Sequence, residues 1–234
     1  MPVKVFGSPT SAGVARVLAC LFEKDVEFQL IRVDSFRGPK RQPNVLKLPW
    51  HVEDGDDTFF ESRKIVRRIA EKYKNQGYKD LLESDQLDRW SIALQMGSEE
   101  HLFDVHSSNM VCSLAYLPPD MPLDGSGRNA GEPPAAGKME EMLQLFEKSR
   151  KELDMLLDWY EMQLGKKDYL AANKFTLADL SHLPNADRLV SDPRSARLIE
   201  SRKNVSRWWH TISGRDSWKR VKELQRPPSA EAPF

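Results

Sequence analysis

The sequence DGDDTFFESRKI, residues 54–65, contains a tight turn, a short apolar segment and the start of a helix. Asp54-Gly55-Asp56 is typical of a hairpin turn between two strands. From position 61 onward, apolar residues recur at helical spacing. The stretch therefore predicts a strand that gives way to a helix at Glu61-Ser62-Arg63.

Ser62 lies where this helix is expected to begin. A helix N-terminus offers free backbone N–H groups and a positive dipole end, which together suit a ligand carboxylate. Glu61 next to it is placed to bind the matching ammonium group. The pair predicts a site for an amino-acid zwitterion, and the alternative is that Ser62 is an ordinary N-cap.

The charge balance limits the kinds of partner that we expect. The chain has 35 basic and 35 acidic residues, so its net charge is zero, and 40% of its residues are hydrophobic. A neutral chain has no global attraction to nucleic acid or to an anionic membrane. We therefore expect a globular protein with no nucleic-acid partner and no membrane partner.

The cysteines and histidines predict neither a disulfide nor a metal site. Cys20 and Cys112 both lie in apolar helical patterns and are expected to be buried, reduced thiols. His101 and His106 are too far apart around a helix to bind one metal ion. The chain shows no apolar run of membrane-spanning length and no signal-peptide pattern at its start, so we expect a cytoplasmic protein.

The N-terminal part of the sequence predicts a β-α-β unit followed by a hairpin and a helix. A short alternating strand ends at the turn Gly7-Ser8-Pro9, and the next helix follows Ser11, which is its expected N-cap. The predicted elements are strand 3–6, helix 12–24, strand 27–33, strands 50–53 and 57–60, and helix 61–75. This order is typical of an α/β domain that begins with a parallel pair of strands.

The remainder of the sequence predicts helices. Two long patterns cover 84–114 and 138–163, and a capping box of Thr176 and Asp179 starts another helix that we expect Pro184 to limit. Trp208, Trp209 and Trp218 are expected in the core. The fold class is therefore α/β plus all-α, with one domain at 1–76 and an all-helical domain at 84–226. The loop 117–137 between the long helices is expected to be functional or disordered.

The order of these motifs resembles the phi class of plant glutathione transferases, over nearly the whole chain. The similar segments are Phe6-Gly7-x-x-x-Ser11-x-x-x-x-Arg16-Val17, Glu27-Phe28, Glu61-Ser62-Arg63, Tyr169-Leu170-Ala171 and Phe175-Thr176-Leu177-Ala178-Asp179-Leu180. The resemblance implies a thioredoxin-like N-terminal domain that binds glutathione and a helical domain that binds a hydrophobic electrophile. It also implies a homodimer, formed by packing one domain on the partner's other domain.

The resemblance assigns a role to each matching residue. It implies that the catalytic Ser11 donates a hydrogen bond to the glutathione sulfur, and that Glu61 and Ser62 hold the γ-glutamyl end. Lys40 and Arg41 would reach the glycyl carboxylate, although a solvated basic loop is an equal alternative. Glutathione is then a co-substrate, and no cofactor is expected. The candidates for the electrophile pocket are Ala12, Phe36, Met110, Leu114 and Tyr116.

The sequence departs from the phi pattern just before the hairpin. Phi enzymes carry a stretch resembling Asn-Pro-Phe-Gly-x-Val-Pro there, ending in a cis-proline whose preceding residue pairs with the glutathione backbone. The corresponding stretch here is several residues shorter. Pro49 is either that cis-proline, with Leu48 as the pairing residue, or the earlier proline, in which case the pairing element is missing.

Two functions follow from these features. Ser11, Glu61 and Ser62 favour a glutathione transferase that conjugates hydrophobic electrophiles, with glutathione peroxidase activity as an additional expectation. The shortened loop favours a non-catalytic carrier that keeps the fold and the apolar pocket but binds glutathione weakly.

Overall fold

The computed structural model describes residues 2–32, 50–82, 85–119, 121, 123 and 137–226. Its N-terminal part is a sheet flanked by helices. The strands are β1 (Val3–Phe6), β2 (Phe28–Ile31), β3 (His51–Asp54) and β4 (Asp57–Phe59), and the helices are α1 (Ala12–Glu23) and α2 (Ser62–Lys72). The predicted order of elements is confirmed, with the second strand shorter than the expected 27–33.

The sheet has the order β2-β1-β3-β4. β1 runs parallel to β2, with Val3 opposite Phe28, and antiparallel to β3, with Val5 opposite Val52. β3 and β4 form the predicted hairpin across Gly55, whose φ of 69° is a conformation that glycine adopts without steric cost. This arrangement is the expected thioredoxin-like domain.

Alternation along β1 shows how the sheet is anchored. Val3 and Val5 are buried, whereas the alternating residues Lys4 and Phe6 are half-buried. α1 is buried along almost its whole length because it packs against α2, α6 and α9. The helix that begins next to Ser11 is therefore held by both parts of the molecule.

The C-terminal part is helical in the residues described. Its helices are α3 (Gln86–Ser98), α4 (Asp104–Tyr116), α5 (Lys138–Leu164), α6 (Leu177–Ser191), α7 (Pro193–Glu200), α8 (Lys203–Ser213) and α9 (Asp216–Gln225). A π-helical segment, Glu99–Phe103, joins α3 to α4. The predicted single helix at 84–114 is thus two α-helices with a wider turn between them.

The start of α6 confirms the predicted capping box. The Thr176 hydroxyl accepts from the Ala178 N–H at 3.3 Å, and the Asp179 carboxylate accepts from the Thr176 N–H at 3.0 Å. The expectation that Pro184 limits this helix is wrong, because α6 continues to Ser191. Contacts with neighbouring helices bury α6 from Leu177 to Ala186 and offset the hydrogen bond that proline lacks.

The burial of side chains agrees with the sequence-based expectations at some positions and differs at others. Trp208 and Trp218 are buried as expected, and so is Cys20, but Cys112 is exposed on α4. Arg63 at the start of α2 lies in the contact between the two parts of the molecule, where it pairs with Glu99. No helix among the described ranges is long and apolar enough to cross a bilayer.

Candidate active site

The N-termini of α1 and α2 open at the same edge of the molecule. Arg16 of α1 donates from Nη1 to the Ser62 hydroxyl of α2 at 2.6 Å, and one turn later Cys20 Sγ contacts the Val66 carbonyl oxygen at 3.6 Å. Both contacts advance in the same direction along the chain, so the helices lie parallel. Two positive dipole ends therefore face one side, which suits a ligand with more than one anionic group.

Ser11 is the N-cap of α1. Its backbone is extended, with φ −71° and ψ 133°, and its side chain makes no capping hydrogen bond to the helix. Its backbone is held at both ends, because its N–H donates to the Ser8 carbonyl at 2.9 Å and its carbonyl accepts from Ala15 at 2.8 Å. The backbone of this half-buried serine is thus fixed in place, and its hydroxyl is not used to cap the helix.

Ser62 is the first residue of α2, and Glu61 is its N-cap. The plain N-cap interpretation of Ser62 is therefore wrong. Its buried hydroxyl accepts a hydrogen bond from Arg16, which leaves the hydroxyl proton available for an acceptor such as a carboxylate. Ser62 lies at the helix start that the sequence pattern predicts, but the pattern carries no sign of its buried partner Arg16.

Glu61 has a strained backbone. Its φ is 60° and its ψ is 98°, a conformation that costs a non-glycine residue on the order of 1–3 kcal/mol and is concentrated at functional sites. Its exposed carboxylate pairs with Lys64 at 2.8 Å. Both the strain and the exposed carboxylate fit a residue that turns its side chain toward a ligand.

A buried ionic cluster lies behind Ser62. Arg16, 2% exposed, donates from Nη2 to Glu99 Oε1 at 3.0 Å, and Glu99 is fully buried. Arg63 donates from Nε to Glu99 at 2.7 Å and contacts Asp104 at 3.0 Å. Two arginines of the N-terminal part thus pair with two carboxylates of the helical part, which fixes the position of Ser62 between them.

The charges in this cluster are stable at neutral pH. Burial lowers the pKa of Arg16, and the adjacent Glu99 carboxylate opposes that shift. Although burial also acts on Arg63, its hydrogen bonds to Glu99 and Asp104 raise the pKa of the guanidinium above its ordinary value. An arginine in this setting keeps its charge, so the cluster stays paired.

Sequence reasoning did not assign Arg16, Glu99 or Asp104 to the site. Arg16 stood in the motif shared with the phi class, but its helical position alone did not indicate a partner. Glu99 lies in the π-helical segment, where a wider turn often marks a functional region. A charged residue in an otherwise apolar helix such as α1 is the signal that could have singled out Arg16.

The electrophile candidates that the structure describes lie in different surroundings. Ala12 lines a cleft of about 180 Å³ between α1, α6 and α9, together with Thr10, Ala15, Pro184, Asp187, Arg188 and Gln225. Met110 is fully buried and Leu114 nearly so, which places both in the core. Tyr116 is 56% exposed, with the Lys138 ammonium 4.7 Å from its ring centre.

Five of the predicted site residues lie outside the described residues. They are Phe36, Lys40, Arg41, Leu48 and Pro49. The structure does describe Trp50, directly after them. Its indole lies against the first turn of α1, so that a β-carbon on Gly13 would be 2.6 Å from Trp50 Cζ2.

Comparison with known proteins identifies the family of this chain. The family model for the glutathione S-transferase C-terminal domain matches residues 111–216. Glutathione S-transferase F10 of Arabidopsis thaliana is 39% identical over 220 residues, 92% of this chain and 94% of its own. Glutathione S-transferase F11 of the same plant is 34% identical over 229 residues, 96% of this chain and 99% of its own. The crystal structure of poplar glutathione transferase F1 superposes with a TM-score of 0.80 at 37% identity, covering 96% of this chain and 98% of that one.

The sequence matches and the structural match each cover nearly the full length of the relative. The chain belongs to the glutathione S-transferase family, and it is a transferase. Within that family, the F-numbered plant relatives at 32–39% identity assign it to the phi class.

Proposed function

We propose that the protein joins the thiol of glutathione to hydrophobic electrophiles, the chemistry of a detoxification enzyme. The observation that carries the proposal is the parallel packing of α1 and α2, fixed by the 2.6 Å hydrogen bond from Arg16 to Ser62. It opens both helix N-termini at one edge, with Ser11 at one and Ser62 at the other. A peptide with a thiol and a distant carboxylate matches such a pair.

In this proposal Ser11 ionises the thiol. A free thiol has a pKa of about 8.5 and is mostly protonated at neutral pH, and each unit of depression corresponds to about 1.36 kcal/mol. The Ser11 hydroxyl donates a hydrogen bond to the sulfur, and the N-terminus of α1 adds positive potential, so both favour the thiolate. The thiol proton passes to solvent, the sulfur forms a bond to the electrophilic carbon, and the leaving group departs with its electron pair.

Ser62 and Glu61 bind the γ-glutamyl end. The Ser62 hydroxyl proton and the backbone N–H groups of the first turn of α2 donate to the carboxylate, and Glu61 exchanges Lys64 for the ligand ammonium. Lys40 and Arg41 bind the glycyl carboxylate, and Leu48 before Pro49 pairs with the cysteinyl backbone. The same bound thiolate can also attack the outer oxygen of a hydroperoxide, which breaks the O–O bond, releases the alcohol and leaves the sulfenic acid of glutathione. A second glutathione then converts that sulfenic acid to glutathione disulfide and water, which would complete a peroxidase cycle.

A non-catalytic carrier is the second candidate, and Trp50 favours it. The indole rests on the first turn of α1, with a β-carbon at Gly7 placed 3.0 Å from Trp50 Cβ and one at Gly13 closer still to the ring. A large side chain in that position narrows the space beside Ser11. The carrier would keep the fold and bind apolar ligands without activating glutathione.

We further propose a homodimer in the cytoplasm. Leu87, Trp90 and Leu94 recur along one face of α3 and are 79%, 70% and 71% exposed, a contiguous apolar face that a second copy would cover. Arg67 on the exposed face of α2 offers a cation to the acidic residues Asp85 and Asp88 at the start of α3 in such a partner. The two free cysteines of the described chain fit a reducing compartment.

The experiment is a pair of measurements on the purified full chain. Calorimetry gives glutathione affinity, and absorbance gives the rate of conjugation to a chloronitroaromatic electrophile for the wild type, Ser11→Ala and Ser11→Thr. The proposal expects saturable glutathione binding and a rate that falls in Ser11→Ala but largely survives in Ser11→Thr, which keeps the hydroxyl. Binding of an apolar dye without glutathione binding or conjugation would establish the carrier instead.

A further inference from the structure

The loop that carries Ser11 is held by side chains of the helical part. Arg188 of α6 donates from Nη2 to the Thr10 carbonyl at 2.6 Å. Gln225 of α9 donates from Nε2 to the Pro9 carbonyl at 3.0 Å. These two carbonyls belong to the residues directly before Ser11, so the helical part contacts the candidate catalytic residue through its backbone.

The hydrogen bonds inside the loop, residues 8–11, form only a single turn. Ser8 Oγ lies 2.8 Å from Thr10 Oγ1, and the Ser11 N–H donates to the Ser8 carbonyl at 2.9 Å. Such a turn sets the shape of the loop but not its orientation against α6 and α9. The bonds from Arg188 and Gln225 supply that orientation.

The Arg188 side chain is itself held by a hydrogen bond within α6. Its Nη1 donates to Asn185 Oδ1 at 3.4 Å, and the buried Asn185 donates in turn to Asp104. Asp104 is the carboxylate that also pairs with Arg63 beside Ser62. One chain of contacts therefore connects the Ser11 loop to the ionic cluster behind Ser62.

Arg188 also places a positive charge near the N-terminus of α1. Burial lowers the pKa of its guanidinium, and Asp104 and Asp187 act in the opposite direction. Asp187 is already engaged by Lys222 and by the Trp218 indole N–H at 3.4 Å. Both carboxylates are shared with other cations, Asp104 with Arg63 and Asp187 with Lys222, so they do not fully neutralise Arg188, whose charge adds to the positive potential at Ser11.

We propose that Arg188 and Gln225 are positioning residues for Ser11, holding the Thr10 and Pro9 carbonyls so that the Ser11 hydroxyl stays aligned with the bound sulfur. The inference rests on the proposed function, because it assigns the sulfur of glutathione to that place. It makes the helical part, which is expected to bind the electrophile, a direct determinant of thiol activation.

The test compares Arg188→Gln and Gln225→Glu with Arg207→Gln in the full chain. Gln225→Glu keeps the size of the side chain but removes the donor. Arg207 is a matched control, since it also donates to carbonyls, those of Leu164 at 2.7 Å and Lys167 at 3.2 Å, away from Ser11. Thiolate absorbance of the glutathione complex against pH gives the thiol pKa, and steady-state rates give kcat and KM separately.

We expect kcat to fall by about 10-fold in both variants, because a small misplacement of a reacting group has effects of this order or larger. The thiol pKa should rise by roughly half a unit in Arg188→Gln, where a charge is also lost. The KM for glutathione should change less than kcat. Arg188→Lys should restore most of the pKa shift, and Arg207→Gln should change neither quantity.

Hydrogen exchange of peptides covering residues 8–13 separates this inference from the proposed function. Both variants should exchange faster there than the wild type and Arg207→Gln, whether or not glutathione binds. A wild type that does not bind glutathione would end the proposed function and, with it, the role of these residues toward sulfur. Normal binding with kcat, thiol pKa and local exchange indistinguishable from the control would overturn the positioning role itself.

Discussion

Arg16 carries a positive charge inside the contact between the sheet and the helical part. A buried arginine is tolerated only when its donors are satisfied, and Arg16 uses the Ser181 carbonyl, the Ser62 hydroxyl and the Glu99 carboxylate. The bond to Ser62 is the one that bears on the ligand. It fixes the direction in which that hydroxyl can donate.

Replacing Ser62 should weaken glutathione binding. A hydrogen bond to a charged group contributes about 1.5–3 kcal/mol, so Ser62→Ala should raise the Kd for glutathione by roughly 10-fold or more. Ser91→Ala, which removes a bond of similar length to the Ala171 carbonyl, serves as the control. Calorimetry measures the Kd for glutathione in each protein. Equal affinities of Ser62→Ala and the wild type would exclude a direct role for the Ser62 hydroxyl in binding.

Removing Arg16 should destabilise the fold more than removing both members of its pair. Arg16→Met leaves the buried Glu99 with Arg63 as its main partner, and breaking a buried pair typically costs about 3–5 kcal/mol. Arg16→Met combined with Glu99→Gln should recover part of that loss. Urea unfolding of the single and double variants gives the coupling, and strictly additive losses would contradict it.

Helix α6 is stabilised by contacts of its buried polar side chains with neighbouring elements. The fully buried Asp179 accepts from the Leu170 and Thr176 N–H groups and from the Trp208 indole N–H, so it connects the start of α6 to the preceding loop and to α8. Further along, His182 is sealed between Tyr160, Phe103 and Trp208. These contacts hold a helix that continues through Pro184.

The stability of the protein should fall in acid because of His182. Its Nδ1 lies 2.7 Å from the Ala178 carbonyl oxygen and its Nε2 lies 2.9 Å from the Tyr160 hydroxyl, so the neutral ring donates to the carbonyl and accepts from the tyrosine. Burial lowers the pKa of His182 to about 3. An unfolded chain binds this proton near pH 6.5, so stability is complete above that pH and declines below it, by at most about 1.4 kcal/mol per pH unit.

Chemical unfolding at a series of pH values from neutral to mildly acidic measures this decline. His182→Gln should show a shallower decline than the wild type, even though its stability at neutral pH is lower. The exposed His210 offers the comparison, because His210→Gln should keep the wild-type slope. Parallel slopes in all three proteins would show that His182 does not contribute.

Local sequence patterns predicted the bounds of α5 well, but they did not predict the π-helical segment between α3 and α4. Helical spacing gave 138–163 for a helix that spans Lys138–Leu164, because its buried face repeats regularly. The same spacing missed the π-helical segment, where Glu99 turns inward to reach two arginines. That pairing exists only once the two parts of the molecule meet, so periodicity carries no sign of it.

The candidate site was predictable to the same degree. Helix starts have a sequence signature, which predicts Ser11 and Ser62 at the starts of α1 and α2, where the structure places them. The role of Ser11 toward sulfur rests on the resemblance to the phi class. Their supporting residues, Arg16 and Asp104, act through contacts between residues distant in the sequence. The electrophile candidates Met110 and Leu114 were chosen by position on a helix, and the structure places them in the core. Side-chain direction depends on packing that the pattern does not specify.

At the scale of the whole molecule, the exposed face of α3 predicts an assembly. Trp90→Glu places a charge in the centre of the apolar face formed with Leu87 and Leu94 and should convert a dimer to a monomer. Sedimentation velocity measures the mass directly. Met162→Glu, at another exposed apolar position, on α5, shows whether the effect is local to α3. A dimer that persists in Trp90→Glu would move the interface elsewhere.

The two parts of the molecule meet at the proposed chemistry. α1 begins beside Ser11, and its Arg16 donates to Glu99 in the π-helical segment and to the Ser181 carbonyl of α6. At the other end of α1, Glu23 accepts from Arg215 at 2.6 Å and from Ser217. The helical part therefore forms hydrogen bonds with both ends of α1. This arrangement makes the position of the Ser11 hydroxyl a property of the whole fold.

The role of Ser11 is tested most directly by a pH titration of thiolate absorbance in the glutathione complexes of the wild type and Ser11→Ala. The wild type should lower the pKa of bound glutathione below the free value of about 8.5, and Ser11→Ala should return it toward that value with similar affinity. If glutathione binds but titrates identically in both proteins, the central claim that Ser11 ionises the thiol is contradicted.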